Sequence, residues 1–151
     1  MESNFEAFNQ VVGLIFDQLY RKFPIAVEID HDEIAEKLGI AILPYDPPSM
    51  VITIRTKIYG EIAPSTNMED FVNEAIEFLA VEGFLQRDGY SIRLSAKALT
   101  LLNAPLPGLE KPAGAQIVEI SKNVGTAAGK AAIGEIVGQV IGAAARGFWG
   151  S

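Results

Sequence analysis

A hairpin signal set between two helical segments constrains this chain more than any other feature of its sequence. Asp88-Gly89 stands between Phe84-Leu85-Gln86-Arg87 and Tyr90-Ser91-Ile92-Arg93-Leu94. An Asp-Gly pair flanked by alternating apolar residues is the strongest short-range mark of a tight antiparallel turn. Upstream, Phe71, Ala75, Phe78 and Leu79, widened by Val72 and Ile76, form the apolar stripe of a helix that starts at Met68 and closes at Gly83. Downstream, Ser95 caps a helix from Ala96 to Leu102, which ends before Pro105 and Pro107. The expected class is mainly α with one small β-hairpin, α+β overall.

The N-terminal third supplies two more helices. Phe5, Phe8, Val12, Ile15, Phe16 and Leu19 recur three and four apart, so one face of a first helix is expected to be buried. Arg21 and Lys22 favour the negative end of its dipole, and Pro24 ends it. Ile25–Ile29 reads as a short strand. Asp30 then starts a second helix, with Glu33 forming a capping-box-like pair, and Gly39 stops it after Leu38. Residues 40–67 read as an irregular or β insertion. Val51–Thr56 is rich in β-branched residues and predicts a strand, while Gly60, Pro64 and Ser65-Thr66-Asn67 predict loop.

Helix, strand, helix, helix, hairpin, helix is the element order of a winged helix-turn-helix domain. The run from Ile76 to Leu99 resembles the third helix, wing and following helix of that family. Its Glu82-Gly83-Phe84-Leu85 step enters the wing, and Leu94-Ser95-Ala96-Lys97-Ala98 leaves it. The resemblance implies a winged-helix-like domain over about residues 5–103. It departs from the family between Gly39 and Met68, where a short turn is usual and an insertion stands here. Winged helices read DNA, pair with proteins or act as scaffolds, so the fold by itself selects no function.

Charge narrows that choice. The net charge of −7 lies in the body: residues 1–112 hold 17 acids and 9 bases, whereas residues 113–151 hold 2 acids and 3 bases. The third helix, which enters the major groove in DNA-binding members, carries Glu69, Asp70, Glu74, Glu77 and Glu82, and no Lys or Arg occurs between Lys57 and Arg87. Such a face repels phosphates and releases no counterions, which disfavours nucleic acid as partner. Glu69, Asp70, Glu74 and Glu77 instead form a candidate docking face for a basic partner. Arg87, Arg93 and Lys97 cluster at the wing, which leaves a DNA-binding regulator working through its wing as the alternative reading.

The sequence carries no recognisable catalytic constellation. It has no cysteine, no nucleophile elbow, no phosphate loop and no dinucleotide fingerprint. The single histidine, His31, has Asp30, Asp32 and Glu33 beside it, but Asp30, His31 and Asp32 fall on different faces of a helix start, and the group reads as capping chemistry. No enzyme activity, cofactor or metal is expected. The acidic N-terminus lacks the basic start and apolar run of a signal peptide, so a cytoplasmic location is expected, with membrane association through the C-terminal segment left open.

That segment begins after the Pro-rich linker of residues 104–112. Residues 113–151 are expected to be a glycine-rich helical tail. At 100° per residue, Ile133, Ile136, Val137, Val140, Ile141, Ala144 and Phe148 share one face; Glu135, Gln139 and Arg146 share the other with Gly134, Gly138 and Gly142. Each internal glycine costs about 1 kcal/mol against alanine, so close approach of another helix is expected to offset three of them. The spacing resembles glycine-zipper segments. It implies association through Gly134, Gly138 and Gly142 and the apolar set Ile133, Ile136, Val137, Val140 and Ile141. The readings left open are pairing with itself, with another protein or with a membrane surface, insertion across a membrane, and folding back onto the chain's own core. The sequence reading is a non-enzymatic interaction module whose tail mediates association.

Overall fold

A computed structural model describes residues 3–45 and 57–148. The chain is helix-rich α+β, with six α-helices and three small antiparallel pairs of strands among the described residues. The predicted strand at Val51–Thr56 lies outside them.

Helix α1 (Asn4–Lys22) starts where the Ser3 side chain accepts from the Glu6 amide at 3.2 Å. Every residue from Gln10 to Leu19 is buried. An uninterrupted buried run cannot be one face of a helix, so the expectation of a single buried stripe is corrected: α1 is an axial helix covered on several sides. Helix α3 (Met68–Val81) and the hairpin pack on one side; α5 (Ala113–Ser121) and α6 (Ala127–Ala143) pack on another.

Two glycines permit that second layer. A Cβ on Gly13 would lie 2.5 Å from Ile133 Cγ1 and 2.6 Å from Cδ1, so α6 sits on α1 so closely that even a methyl at position 13 would force Ile133 to shift. Gly114 likewise lets α5 approach the Tyr20 ring, and the Tyr20 hydroxyl donates to Asn103 Oδ1 at 2.7 Å. The tail is two helices instead of one. After Ser121 the chain turns through Asn123-Val124-Gly125, and Thr126 restarts it by accepting from the Gly129 amide at 3.0 Å.

Polar contacts join α1 to α2 (His31–Leu38). The buried Gln18 amide donates to the Asp30 carbonyl at 3.0 Å and accepts from the Asp30 amide at 2.8 Å. Asp30 accepts from the Glu33 amide at 3.1 Å, as the capping reading requires. The reciprocal half of a capping box is missing, because Gln18 already occupies the Asp30 amide and the Glu33 carboxylate faces Arg21 and Lys37. Asp17, 1% exposed, accepts from Arg21 Nε and Nη2, each at 3.0 Å, and from Lys37 Nζ at 3.2 Å.

The expected strand at Ile25–Ile29 reduces to one bridge, Val27 to Ile92, which lies against the second strand of the hairpin. The insertion after Gly39 holds β1 (Ile42–Pro44) paired with β2 (Lys57–Tyr59), then β3 (Glu61–Ala63) paired with β4 (Thr66–Asn67). The loop expected from Gly60 to Asn67 therefore contains short strands, and Asn67 caps α3 by accepting from the Asp70 amide at 2.9 Å. In the hairpin, β5 (Leu85–Asp88) pairs with β6 (Ser91–Leu94), and Asp88 opposes Ser91. The turn is thus Gly89-Tyr90, one residue beyond the expected pair, because Gly89 is the residue able to take φ 65° at the first turn position. Ser95 fixes the hairpin base: its hydroxyl donates to the Gly83 carbonyl at 2.8 Å and caps α4 (Ala96–Asn103) by accepting from the Ala98 amide at 3.0 Å. Helices, a bridging strand and a hairpin in this order are loosely compatible with a winged-helix-like arrangement.

Candidate functional site

The outward face of α3 gathers most of the surface chemistry. Its buried stripe is Met68, Val72, Ala75, Ile76 and Leu79, which turns the remaining residues toward solvent or toward the hairpin. Asp70, Glu74 and Glu77 are exposed, and Glu69 is partly covered at the start of the helix. No Lys or Arg lies on α3 itself, so its outward face is predominantly acidic.

The hairpin cations meet that face. Arg87 Nη2 pairs with Glu77 Oε2 at 2.5 Å, and Arg93 Nε donates to Gln86 Oε1 at 3.2 Å; Lys97 is exposed at the start of α4. Of the three wing residues singled out from the sequence, Arg87 is therefore neutralised by the acidic helix beside it. Between α3, the start of α2 and the hairpin lies an open cleft of about 630 Å³, whose wall includes Glu28, His31, Asn73, Glu77, Arg87 and Tyr90. His31 Nε2 lies 3.1 Å from Asn73 Oδ1.

The acids around His31 do not converge. Asp30 caps α2, Glu33 faces Arg21 and Lys37, and Asp32 turns to the insertion. There Asp32 accepts from Lys57 Nζ at 2.5 Å and from the Tyr59 hydroxyl in a short hydrogen bond. The Lys57 ammonium and then the Tyr59 hydroxyl hold the Asp32 carboxyl below its usual range; Asp32 in return raises Lys57. Burial, and then Asp32, push the Tyr59 phenol up. The arrangement ties α2 to β2 and leaves no oxygen set for a cation. Among the described residues no group of three or more His, Asp or Glu side chains could hold a metal ion.

The tail residues fall into two sets. Ile133, Ile136, Val137 and Val140 are 0–5% exposed and complete the core over α1; Ile141 is partly buried against it. In the single chain these apolar residues are already covered, with Gly13 opening room for Ile133 and Val137. Of the tail glycines, Gly138 is exposed, while Gly134 and Gly142 are partly covered. A Cβ on Gly138 would meet nothing within 4 Å, one on Gly134 only Asn9 Cβ at 3.9 Å, and one on Gly142 the Arg146 guanidinium at 3.1 Å. No helix among the described residues is long and apolar enough to cross a membrane.

One surface went unread in the sequence. Phe5, Phe8, Phe71 and Phe78 look like core residues by periodicity, yet Phe5 is 83% and Phe78 44% exposed. They line an almost wholly apolar groove of about 390 Å³ between the first turns of α1 and the middle of α3, with Glu74 at its edge. Phe8 and Phe78 meet edge to face with ring centres 5.3 Å apart. The available signal was on α3, where Phe71 and Phe78 sit at the margin of the buried stripe; Phe5 and Phe8 lie within the α1 stripe but in its first turns.

No protein-family description matches the chain, and neither a curated protein nor a solved structure matches it.

Proposed function

We propose that this chain is a non-enzymatic protein-interaction module of winged-helix-like architecture, whose α3 face receives a basic partner in place of nucleic acid. The winged-helix reading is supported by the Val27–Ile92 bridge, which adds a third backbone segment to the hairpin, and by α3 lying against that hairpin. The observation that carries the partner reading is the 2.5 Å pair between Arg87 and Glu77. A wing cation held by the adjacent helix contributes little to phosphate binding, while Asp70 and Glu74 stay available to a cationic protein. The test is binding of the full chain, at low salt, to labelled duplex DNA and to an oligolysine peptide. The expected result is no DNA binding, and oligolysine binding that is lost in Glu74→Lys and Glu77→Lys. DNA binding that disappears in Arg87→Ala and Arg93→Ala would overturn the proposal in favour of the wing-led regulator.

A second reading keeps the tail as an association element, through its glycines alone. Gly138 costs helix stability that nothing in the single chain offsets, since a Cβ there would meet nothing within 4 Å. Packing of a second chain along that stripe would offset it. Sedimentation of the full chain against Gly138→Leu is decisive: a concentration-dependent dimer lost in the variant supports this reading, and a monomer in both at tens of micromolar ends it.

A further inference from the structure

We propose that the phenylalanine groove between α1 and α3 seats an amphipathic helix of a partner protein, with apolar residues on one side and Lys or Arg along its flank. The inference rests on the interaction-module reading and names the place and chemistry of the contact.

Phe5 and Phe78 project from two neighbouring helices, and Ala75, 3% exposed, gives the groove a small-residue floor. Each phenylalanine left in water forgoes burial that a partner restores, and clustered exposed aromatics are what interfaces use as anchors. Two flanking helices with a channel between them match the shape of a third helix laid alongside, whose residues at i, i+3, i+4 and i+7 fill the channel.

Charge then selects among occupants. From Met1 to Tyr20 the chain has no Lys or Arg, and α3 has none, so neither wall of the groove contains a cation. Glu74 lines the groove itself and Asp70 stands exposed one turn before it on α3, with Glu77, paired with Arg87, following beside Phe78. A second copy docked face to face would set these carboxylates against its own, and an anionic lipid surface would meet the same repulsion. A basic amphipathic helix satisfies both halves of the surface, the aromatic channel and the acidic border.

The test uses the full chain and a fluorescein-labelled peptide of about 18 residues, leucine on one helical face and lysine on the other, read by fluorescence polarisation. Saturable binding is expected. It should weaken at least about tenfold in Phe5→Ala/Phe78→Ala, and by a similar factor when the peptide lysines become glutamates. Phe5 is so exposed that its removal leaves the fold intact, and far-UV circular dichroism of the variants verifies this. Binding that ignores Phe5 and Phe78, binding that ignores the peptide charge, no binding, or a Phe78-dependent dimer or attachment to anionic vesicles overturns the groove assignment. Oligolysine without leucine separates the two readings. If it binds while the leucine face adds nothing, the groove falls and the acidic face stands; if neither peptide binds, both fall.

Discussion

Replacing Gly13 with alanine tests the two-layer covering of α1 more directly than any truncation. In an unencumbered helix interior the change would stabilise by about 1 kcal/mol, because glycine pays more backbone entropy. Here the added methyl would stand 2.5 and 2.6 Å from Ile133 Cγ1 and Cδ1 and 3.2 Å from Val137 Cγ2. Ordinary carbon contacts lie at about 3.5–4.0 Å, so the overlap with Ile133 is roughly 1 Å. Ile133 and Val137 are both 0% exposed and have no solvent to swing into. Overpacking of this kind costs about 1–3 kcal/mol, which outweighs the propensity gain and leaves a net loss of about 1 kcal/mol. For a chain of this size that is a fall of about 2–4 °C in Tm. Ile133→Ala alone should cost about 2–5 kcal/mol through the cavity it opens. Combined with Gly13→Ala it should cost less than the two together, since the new methyl fills the space vacated; the expected coupling is about 1–3 kcal/mol. Urea denaturation followed by circular dichroism measures all four corners of this cycle. A Gly13→Ala variant that gains the full propensity term, with an additive double mutant, would refute the docking of α6 on α1.

Two further perturbations address the polar ties. Asp17→Asn leaves Arg21 and Lys37 without their shared carboxylate and should lower stability by about 1–3 kcal/mol in urea titration, less than for a fully buried pair because both cations reach solvent. Asp32→Asn should destabilise the protein at neutral pH, and the gap to the parent should close in acid. The folded-state pKa of Asp32 is depressed by Lys57 and Tyr59, so its contribution is present above the ordinary aspartate range and lost as pH falls through the lower folded value. Stability curves from pH 7 to below about 4 check this, and a gap independent of pH contradicts the assignment.

Local chemistry was legible where a residue acts through its own neighbours. Asp30, Gly39, Ser95 and Gly89 cap or turn the backbone within a few residues, and so did the acidity of α3 show directly in the order of its side chains. The Lys57–Asp32–Tyr59 contact was not legible, because its members lie 25 and 27 residues apart and meet only when β2 is laid beside α2. The phenylalanine groove was misread for a related reason. Helical periodicity ranks residues by face, whereas burial of a residue at the edge of a stripe depends on whether a neighbouring element extends far enough to cover it. Phe16 is covered; Phe5, at the open end of the same helix, is not.

What the sequence alone determined is the first four helices, the hairpin and its base, and the acidity of α3, all of which follow from short-range hydrogen bonding and charge order. Tertiary structure alone decided the destination of the tail. Its apolar face wanted a partner, and periodicity leaves the identity of that partner open, because the hydrophobic effect is non-directional. Gly13 made the chain's own first helix available, at a distance that a side chain at position 13 would disturb. Apolar area was thereby withdrawn from the tail's surface, while Phe5 of α1 and Phe78 of α3 were left in water.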